Sequence, residues 1–255
     1  MENIRTVIPN EFVDPHTHIL PGIDDGAKTP NDSVKLLNML KREGVTTVVL
    51  TPHFDCIRGS LESFVRRRRR ALEELKQAMG PQGGLCLLTG CELYMDAPVD
   101  PFLDITPLCF EGTRNLLVEL PWSKKWSAAM IENIYQLSCN QNIRPILAHC
   151  ERYPAVQRDP RLAYAAVEAG CRLQVNIASL LDKGRKKLIL RLLDQGLISF
   201  LASVCPDPVV RPPMWPAGLQ ALTEAVGPGP AAQLLQNGGG LLPHNGSERA
   251  HEVPF

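Results

Sequence analysis

Seven short β-rich runs alternate with amphipathic stretches along the chain, and this alternation restricts the fold to a parallel βα architecture, open or closed into a barrel. The runs fall at 12–15, 46–51, 85–92, 115–120, 144–149, 172–176 and 198–203. Helical patterns occupy 31–42, 60–79, 128–140, 161–169 and 182–194. Gly196 and Gly170 stand where two of these helices should stop. No stretch of the 255 residues reads as a linker, so the expectation is a single domain over 1–255. The Gly/Pro-rich stretch 227–246 opens what reads as a loose C-terminal end, about 227–255.

Composition excludes several function classes. Formal net charge is zero and the sequence pI is about 7.0, so no global basic charge recruits nucleic acid. No apolar run reaches spanning length, which argues against stable membrane insertion. The polar start (Glu2, Asn3, Arg5) lacks a secretory pattern, making the cytoplasm the expected location. The eight cysteines form no C-x-x-C pair; reduced and mostly buried is the expectation. Arg66–Arg70 is a run of five arginines within a helical pattern. With Glu62, Glu73 and Glu74 nearby, it reads as a solvated helix face ahead of an anion-reading patch.

The metal-capable residues fall in one kind of place. In Asp14-Pro15-His16-Thr17-His18, two histidines stand one residue apart after Phe12-Val13. In extended chain such a pair points to one side, so both imidazoles can address one ion. Asp24 and Asp25 follow in the same loop, between Gly22 and Gly26. His53, Glu92, Glu119 and His149 lie at or just beyond the ends of later runs. In parallel α/β folds the C-terminal strand ends open onto one face, where sites are built. Taken singly, each residue has an ordinary explanation as a loop, core or surface residue; repeated use of the same strand end points to one mouth. A mixed His/carboxylate set suits Zn, Mn or Fe, and more than four ligands implies more than one ion. Clustered divalent ions suit phosphate ester hydrolysis.

A second phosphate chemistry competes with this one. Cys205-Pro206-Asp207-Pro208-Val209-Val210-Arg211 has the C-x5-R spacing of cysteine-dependent phosphatases. Such a loop must turn successive N–H groups toward phosphate. Two prolines and no glycine make it a poor cradle, so Cys205 is rejected as a nucleophile.

The sequence resembles the PHP superfamily of metal-dependent phosphoesterases. More narrowly, it is similar to bacterial PHP-type protein-tyrosine phosphatases tied to capsular and exopolysaccharide synthesis. The matching pieces run in order over about 12–203: Asp14-x-His16-x-His18-Ile-Leu-Pro-Gly-Ile-Asp-Asp25-Gly, Thr51-Pro52-His53, Gly90-Cys91-Glu92, Val118-Glu119-Leu120-Pro121, Ala148-His149-Cys150-Glu151-Arg152-Tyr153 and Gln174-Val175-Asn176. The resemblance implies a distorted seven-stranded βα barrel holding up to three divalent ions, Mn first, then Fe or Zn. It implies metal ligation by His16, His18, Asp25, His53, Glu92, Glu119 and His149. It further implies catalytic roles for Asp25 and Arg152, with Arg152 and Arg211 binding the phosphate, a task for which the guanidinium fork is well matched.

One departure counts against full metal loading. The family's last barrel strand ends in Ser-Asp-Ala-His, and its Asp and His bind metal. This chain has Ser203-Val204-Cys205-Pro206-Asp207, with Val204 and Pro206 at those positions. On the family pattern the Asp completes the site of His16 and His18, and the His completes that of His53 and Asp25. The trio Glu92, Glu119 and His149 would be untouched. Cys205 or Asp207 could replace the lost ligands if the loop shifts.

Three readings follow. The first is a metal-dependent phosphatase acting on phosphotyrosine in a protein partner, a bacterial tyrosine kinase, with activity lowered by the loss at Val204 and Pro206. The second is a catalytically weak metal-binding relative that serves as a binding module. The third is a phosphatase for a small ester such as histidinol phosphate. An oligomer is compatible with each.

Overall fold

The computed structural model describes residues 7–80, 84–122 and 125–243. Among them, nine parallel strands form two sheets. One has the order β1 (Val13–Thr17), β2 (Thr47–Leu50), β4 (Cys86–Thr89). The other has the order β3 (His53–Asp55), β5 (Glu92–Tyr94), β6 (Asn115–Glu119), β7 (Arg144–Leu147), β8 (Arg172–Asn176), β9 (Ile198–Ala202). Each of the seven runs read from the sequence holds a strand, but the run 85–92 is split in two, and β3 lies just beyond the run 46–51, where no strand was read. Pro52 has no N–H to give the ladder and parts β2 from β3. Gly90-Cys91 parts β4 from β5. A side chain at Gly90 would lie 2.9 Å from Phe110 and 3.1 Å from Val49, so only glycine lets the backbone pass there. Pro52 O accepts from Glu92 N–H at 3.1 Å, which seats β5 beside β3 beyond the kink.

Among the described residues the two sheets do not join into one closed sheet. Among the described residues, the β9–β1 seam holds one backbone–backbone hydrogen bond, from Val204 N–H to His16 O (3.0 Å), one from Ser203 N–H to the Asp14 side chain (3.1 Å), and one isolated bridge, Thr17 to Cys205. Val204 sits at φ 50° and Pro206 follows, so the chain turns away before a ladder can grow. The architecture is a mixed α/β fold with parallel sheets.

Helices α1 (Pro30–Arg42), α2 (Leu61–Met79), α3 (Ala128–Gln141), α4 (Pro154–Arg158), α5 (Arg161–Glu168) and α6 (Lys183–Asp194) fill the crossovers. Four of their starts are capped by side chains: Thr29, Ser60, Ser127 and Asp182 each accept a first-turn backbone N–H. The arginine run resolves into two roles. Arg66, Arg67, Arg69 and Arg70 are exposed on α2. Arg68 is buried and donates to Gly90 O (2.7 Å) and Pro107 O (2.8 Å), tying α2 to the kink that precedes Glu92.

The C-terminal region departs from the loose end read from the sequence. Two further helices follow: α7 (Trp215–Val226) packs against the turn Ile177–Leu181 and against α8 (Pro228–Gly239), which itself lies beside β1 and β9; the remaining 244–255 lie outside the described residues. The glycines and prolines disguise a helix whose Ala231, Leu234, Leu235 and Gly238 share one buried face. Gly238 meets Val13 so closely that a Cβ would lie 3.3 Å from the Val13 Cβ. Trp215 is fully buried edge-on to Phe12, and its indole N–H donates to Asp14 Oδ2 at 3.1 Å. This contact anchors α7 to the first strand.

Candidate metal centre

The site forms at the C-terminal ends of the strands. β1 carries His16, and His18 follows one residue past its end; both imidazoles reach Glu92. Register places His53 of β3 opposite Glu92 of β5. Glu119 ends β6, and His149 follows β7 in left-handed backbone (φ 34°), its N–H donating to the Gln174 side-chain oxygen at 2.9 Å. The Asp24-Asp25 loop folds back on β1 because Gly26 has no side chain: a Cβ there would lie 2.1 Å from His18 O.

Glu92 is the hub. Its Oε2 lies 3.1 Å from His16 Nε2, 3.2 Å from His18 Nε2 and 3.2 Å from His53 Nδ1, while its Oε1 lies 3.0 Å from His149 Nε2. Glu119 reaches His149 Nε2 at 3.6 Å and His53 Nδ1 at 3.8 Å. Asp25, 66 % exposed at its side chain, stands 3.6 Å from His53 Nε2. Glu92 and Glu119 both approach His149, but the trio is not a separate unit: Glu92 also serves His16, His18 and His53, and Glu119 groups with His53 and Glu92.

These groups fit divalent ions. The His16 and His18 Nε2 atoms are only 3.0 Å apart, a spacing that two lone pairs tolerate only with a proton or a cation between them. Buried His149 Nδ1 has no hydrogen-bond partner among the described residues. Ligand atoms within 4.8 Å of one another fall into three groups: His16, Glu92, His149; His18, Asp25, His53; and His53, Glu92, Glu119. The second coordination sphere is also in place. His16 Nδ1 lies 3.1 Å from Gln174 Oε1, and His18 Nδ1 lies 2.9 Å from Asp24 Oδ2. Asp24 also accepts from His53 N–H at 3.1 Å, so it braces two candidate ligands while Asp25 faces the cavity.

The electrostatics are those of a buried charge cluster. Burial opposes a charged Glu92, yet His16, with hydrogen bonds from His149 and His18, holds its carboxyl well below the usual range. Burial, then the neighbouring Glu92 charge, pushes Glu119 up to about 7. Burial also disfavours charge on His18, but Asp24 and Glu92 outweigh it and raise the imidazole to about 10. Burial lowers His149 to about 4, against the pull of Glu92.

The cavity over this cluster, about 370 Å³, is lined also by Trp122, Arg152, Val204 and Arg211. The structure thus brings all the candidate ligands and both arginines together, with His16 buried beneath the cavity floor. A larger cavity of about 570 Å³ elsewhere is bounded by Arg68, Arg114 and Arg144. There Arg68 is spent on backbone carbonyls and Arg114 on the Thr106 hydroxyl.

The broken strand end stays broken. Val204 lines the cavity with an apolar side chain. Asp207 Oδ1 is used on the N–H groups of Val209 (2.8 Å) and Val210 (2.6 Å). Cys205 is fully buried, does not line the cavity, and has a thiol raised by burial and then by Asp14. Neither belongs to a ligand group among the described residues. A thiol so raised is no thiolate nucleophile, which accords with rejecting the C-x5-R reading. Asp24 and Gln174, which the sequence offered without these roles, and Trp122, which it did not single out, complete the site. Asp24 and Gln174 brace ligands, and Trp122 donates its indole N–H to Glu119 Oε1 at 2.6 Å. A tryptophan three residues past a strand-end acid was the available signal.

No described helix is long and apolar enough to cross a membrane. The chain is 31% identical to tyrosine-protein phosphatase YwqE of Bacillus subtilis, over 75% of this chain and 76% of that protein. It is equally identical (31%) to the putative tyrosine-protein phosphatase CapC of Staphylococcus aureus, over 79% of each. Its fold matches a crystal structure described as belonging to YwqE from Bacillus subtilis and CpsB from Streptococcus pneumoniae, unique metal-dependent tyrosine phosphatases. That match has a TM-score of 0.78 and 28% identity, covering 90% of this chain and 94% of that one. An amidohydrolase from Mycoplasma synoviae shares the fold alone, with a TM-score of 0.51 at 14% identity over 90% of this chain and 88% of that one. The model of the capsular polysaccharide synthesis family CpsB/CapC matches residues 12–242, a span that takes in every strand and every candidate ligand: the chain belongs to that family.

Proposed function

We propose that this protein hydrolyses phosphotyrosine esters in proteins, using divalent ions held by His16, His18, Asp25, His53, Glu92, Glu119 and His149. The observation that carries this reading is the convergence of four imidazoles on the two oxygens of Glu92, in a cavity that Arg152 and Arg211 also line. Bound ions would supply Lewis acidity and an acidified water. The chain supplies the rest. Arg152, with Arg211 beside it, offers guanidinium forks to the phosphate oxygens. Asp25, half out in solvent, is placed to hold or pass a proton at its carboxylate as well as to ligate. Glu92 and His16, fully buried, keep bulk water from the cluster floor.

The finer parts of the reading rest on the same site. Mn is the proposed ion, with Fe or Zn as substitutes, at one to three per chain. The proposed substrate is a tyrosine-phosphorylated protein in the cytoplasm, a bacterial tyrosine kinase, in keeping with relatives named as tyrosine-protein phosphatases. We read the two sheets as one distorted seven-stranded barrel, with β2/β3 and β4/β5 each a single strand line bent at its kink. One observation favours a second reading, a metal-binding but catalytically weak relative: Val204 and Pro206 offer no ligand, and no neighbour replaces them.

Metal content per chain by elemental analysis, together with phosphate release from a phosphotyrosine peptide before and after chelation, separates the two. Metal-dependent release supports the phosphatase. A metal-loaded chain that releases no phosphate supports the binding module.

A further inference from the structure

Trp122 follows the Glu119-Leu120-Pro121 strand end, and four contacts concentrate on its side chain. Its indole N–H donates to Glu119 Oε1 at 2.6 Å. Its ring lies 5.1 Å from the His149 ring and stacks on Tyr153 at 5.0 Å. The Arg152 guanidinium carbon stands 5.1 Å from the Trp122 ring centroid. Tyr153 is itself fixed, fully buried with its hydroxyl accepting Leu120 N–H at 2.9 Å. The indole therefore has a rigid backing, and it lines the cavity.

We infer that Trp122 is a positioning residue that sets two parts of the site at once, the indole N–H orienting Glu119 toward metal and the ring holding Arg152 toward phosphate. The inference rests on the phosphatase reading for its phosphate half and on metal binding alone for the other. The physical reasons are separate. A carboxylate with one oxygen held by a strong donor loses rotational freedom and presents the other oxygen in a fixed direction. Glu119 needs this more than Glu92 does, because Glu92 is locked by four imidazoles, whereas the imidazoles nearest Glu119 lie at 3.6 and 3.8 Å. A guanidinium held over an aromatic face is confined to that face, with its N–H edge left free for phosphate oxygens.

Two substitutions separate the two roles. Trp122→Phe keeps the ring and removes the N–H; Trp122→Gln keeps an N–H donor and removes the ring. The measurements are the Mn²⁺ dissociation constant by titration calorimetry and the KM and kcat for a phosphotyrosine peptide at saturating Mn²⁺. For Trp122→Phe the dissociation constant should rise about tenfold, the usual scale for losing a ligand's supporting hydrogen bond, with KM within twofold of the parent. For Trp122→Gln the dissociation constant should stay within about threefold while KM rises about fivefold, the scale of a cation–π contact. Unchanged Mn²⁺ affinity in Trp122→Phe overturns the Glu119 half, and unchanged KM in a folded Trp122→Gln overturns the Arg152 half. Should Trp122→Gln not fold, Trp122→His, a smaller ring with an N–H donor, takes its place; if neither folds, the ring is structural and that half is overturned. If the parent protein releases no phosphate, the phosphatase reading fails, while the Mn²⁺ comparison still decides the role of the N–H.

Discussion

Val204 is the residue whose replacement tests most of the argument. It is β-branched, 4 % exposed and held at φ 50°, a conformation that costs an L-residue about 1–2 kcal/mol and that Asn and Asp adopt most readily. Two substitutions in metal-free protein isolate that strain. Val204→Ala removes two buried methyl carbons, about 1.6 kcal/mol at about 0.8 kcal/mol each, and keeps the strained backbone. Val204→Asn loses similar apolar burial, but its amide borders a polar cavity and its backbone relaxes. Asn should therefore be the more stable variant by about 1 kcal/mol, which is about 2–4 °C in Tm for a chain of this size. Differential scanning calorimetry in chelator measures it. An alanine variant that melts at or above the asparagine variant would refute the claim that strain is stored at this turn. The charged pair of changes, Val204→Asp with Pro206→His, tests the lost-ligand argument. Without metal the added carboxylate joins Glu92 and Glu119 in a buried cluster and should lower Tm. Mn²⁺ at about 100 times its dissociation constant should then stabilise this variant by about 2.7 kcal/mol. Turnover should rise about tenfold, equivalent to about 1.4 kcal/mol of transition-state stabilisation. If added Mn²⁺ shifts the double variant no further than the parent, position 204 is not a ligand position.

The other expectations are simpler. His149→Ala should bind less metal per folded chain by elemental analysis, because its Nε2 is 3.0 Å from the hub carboxylate; an unchanged content would remove it from the ligand set. Chelation should abolish phosphate release while Cys205→Ser retains most of it, and trapping a phosphocysteine would reverse that assignment. Leu235→Ala on α8, at a position 3 % exposed, should cost about 2–5 kcal/mol in thermal or denaturant unfolding. A cost below about 0.5 kcal/mol would return the C-terminal region to the loose end that its composition suggests.

The strands, the crossover helices and the strand-end ligands were legible along the chain because each depends on local chemistry. Apolar runs, helix-stopping glycines such as Gly170 and Gly196, and H-x-H on extended backbone carry their meaning within a few residues. The α8 helix was hidden because its glycines and prolines are poor helix formers in isolation; packing beside β1 and β9 outweighs that local preference. The kinks at Pro52 and Gly90 were written in the sequence as residues, but only the neighbouring strands turn them into a split sheet, as only the turn at Val204 and Pro206 leaves the β9–β1 seam open. The site divides in the same way. His16, His18, His53, Glu92, Glu119 and His149 were each recognisable by type and place, whereas Glu92 as their common centre is a product of register between β3 and β5. Asp24 bracing His18, Gln174 bracing His16 and Trp122 bridging Glu119 and Arg152 join residues whose separation in sequence ranges from 3 to 158. Sequence determined which groups could bind metal and phosphate; the tertiary structure decided their mutual distances, because only folding fixes the orientation of side chains carried on different strands.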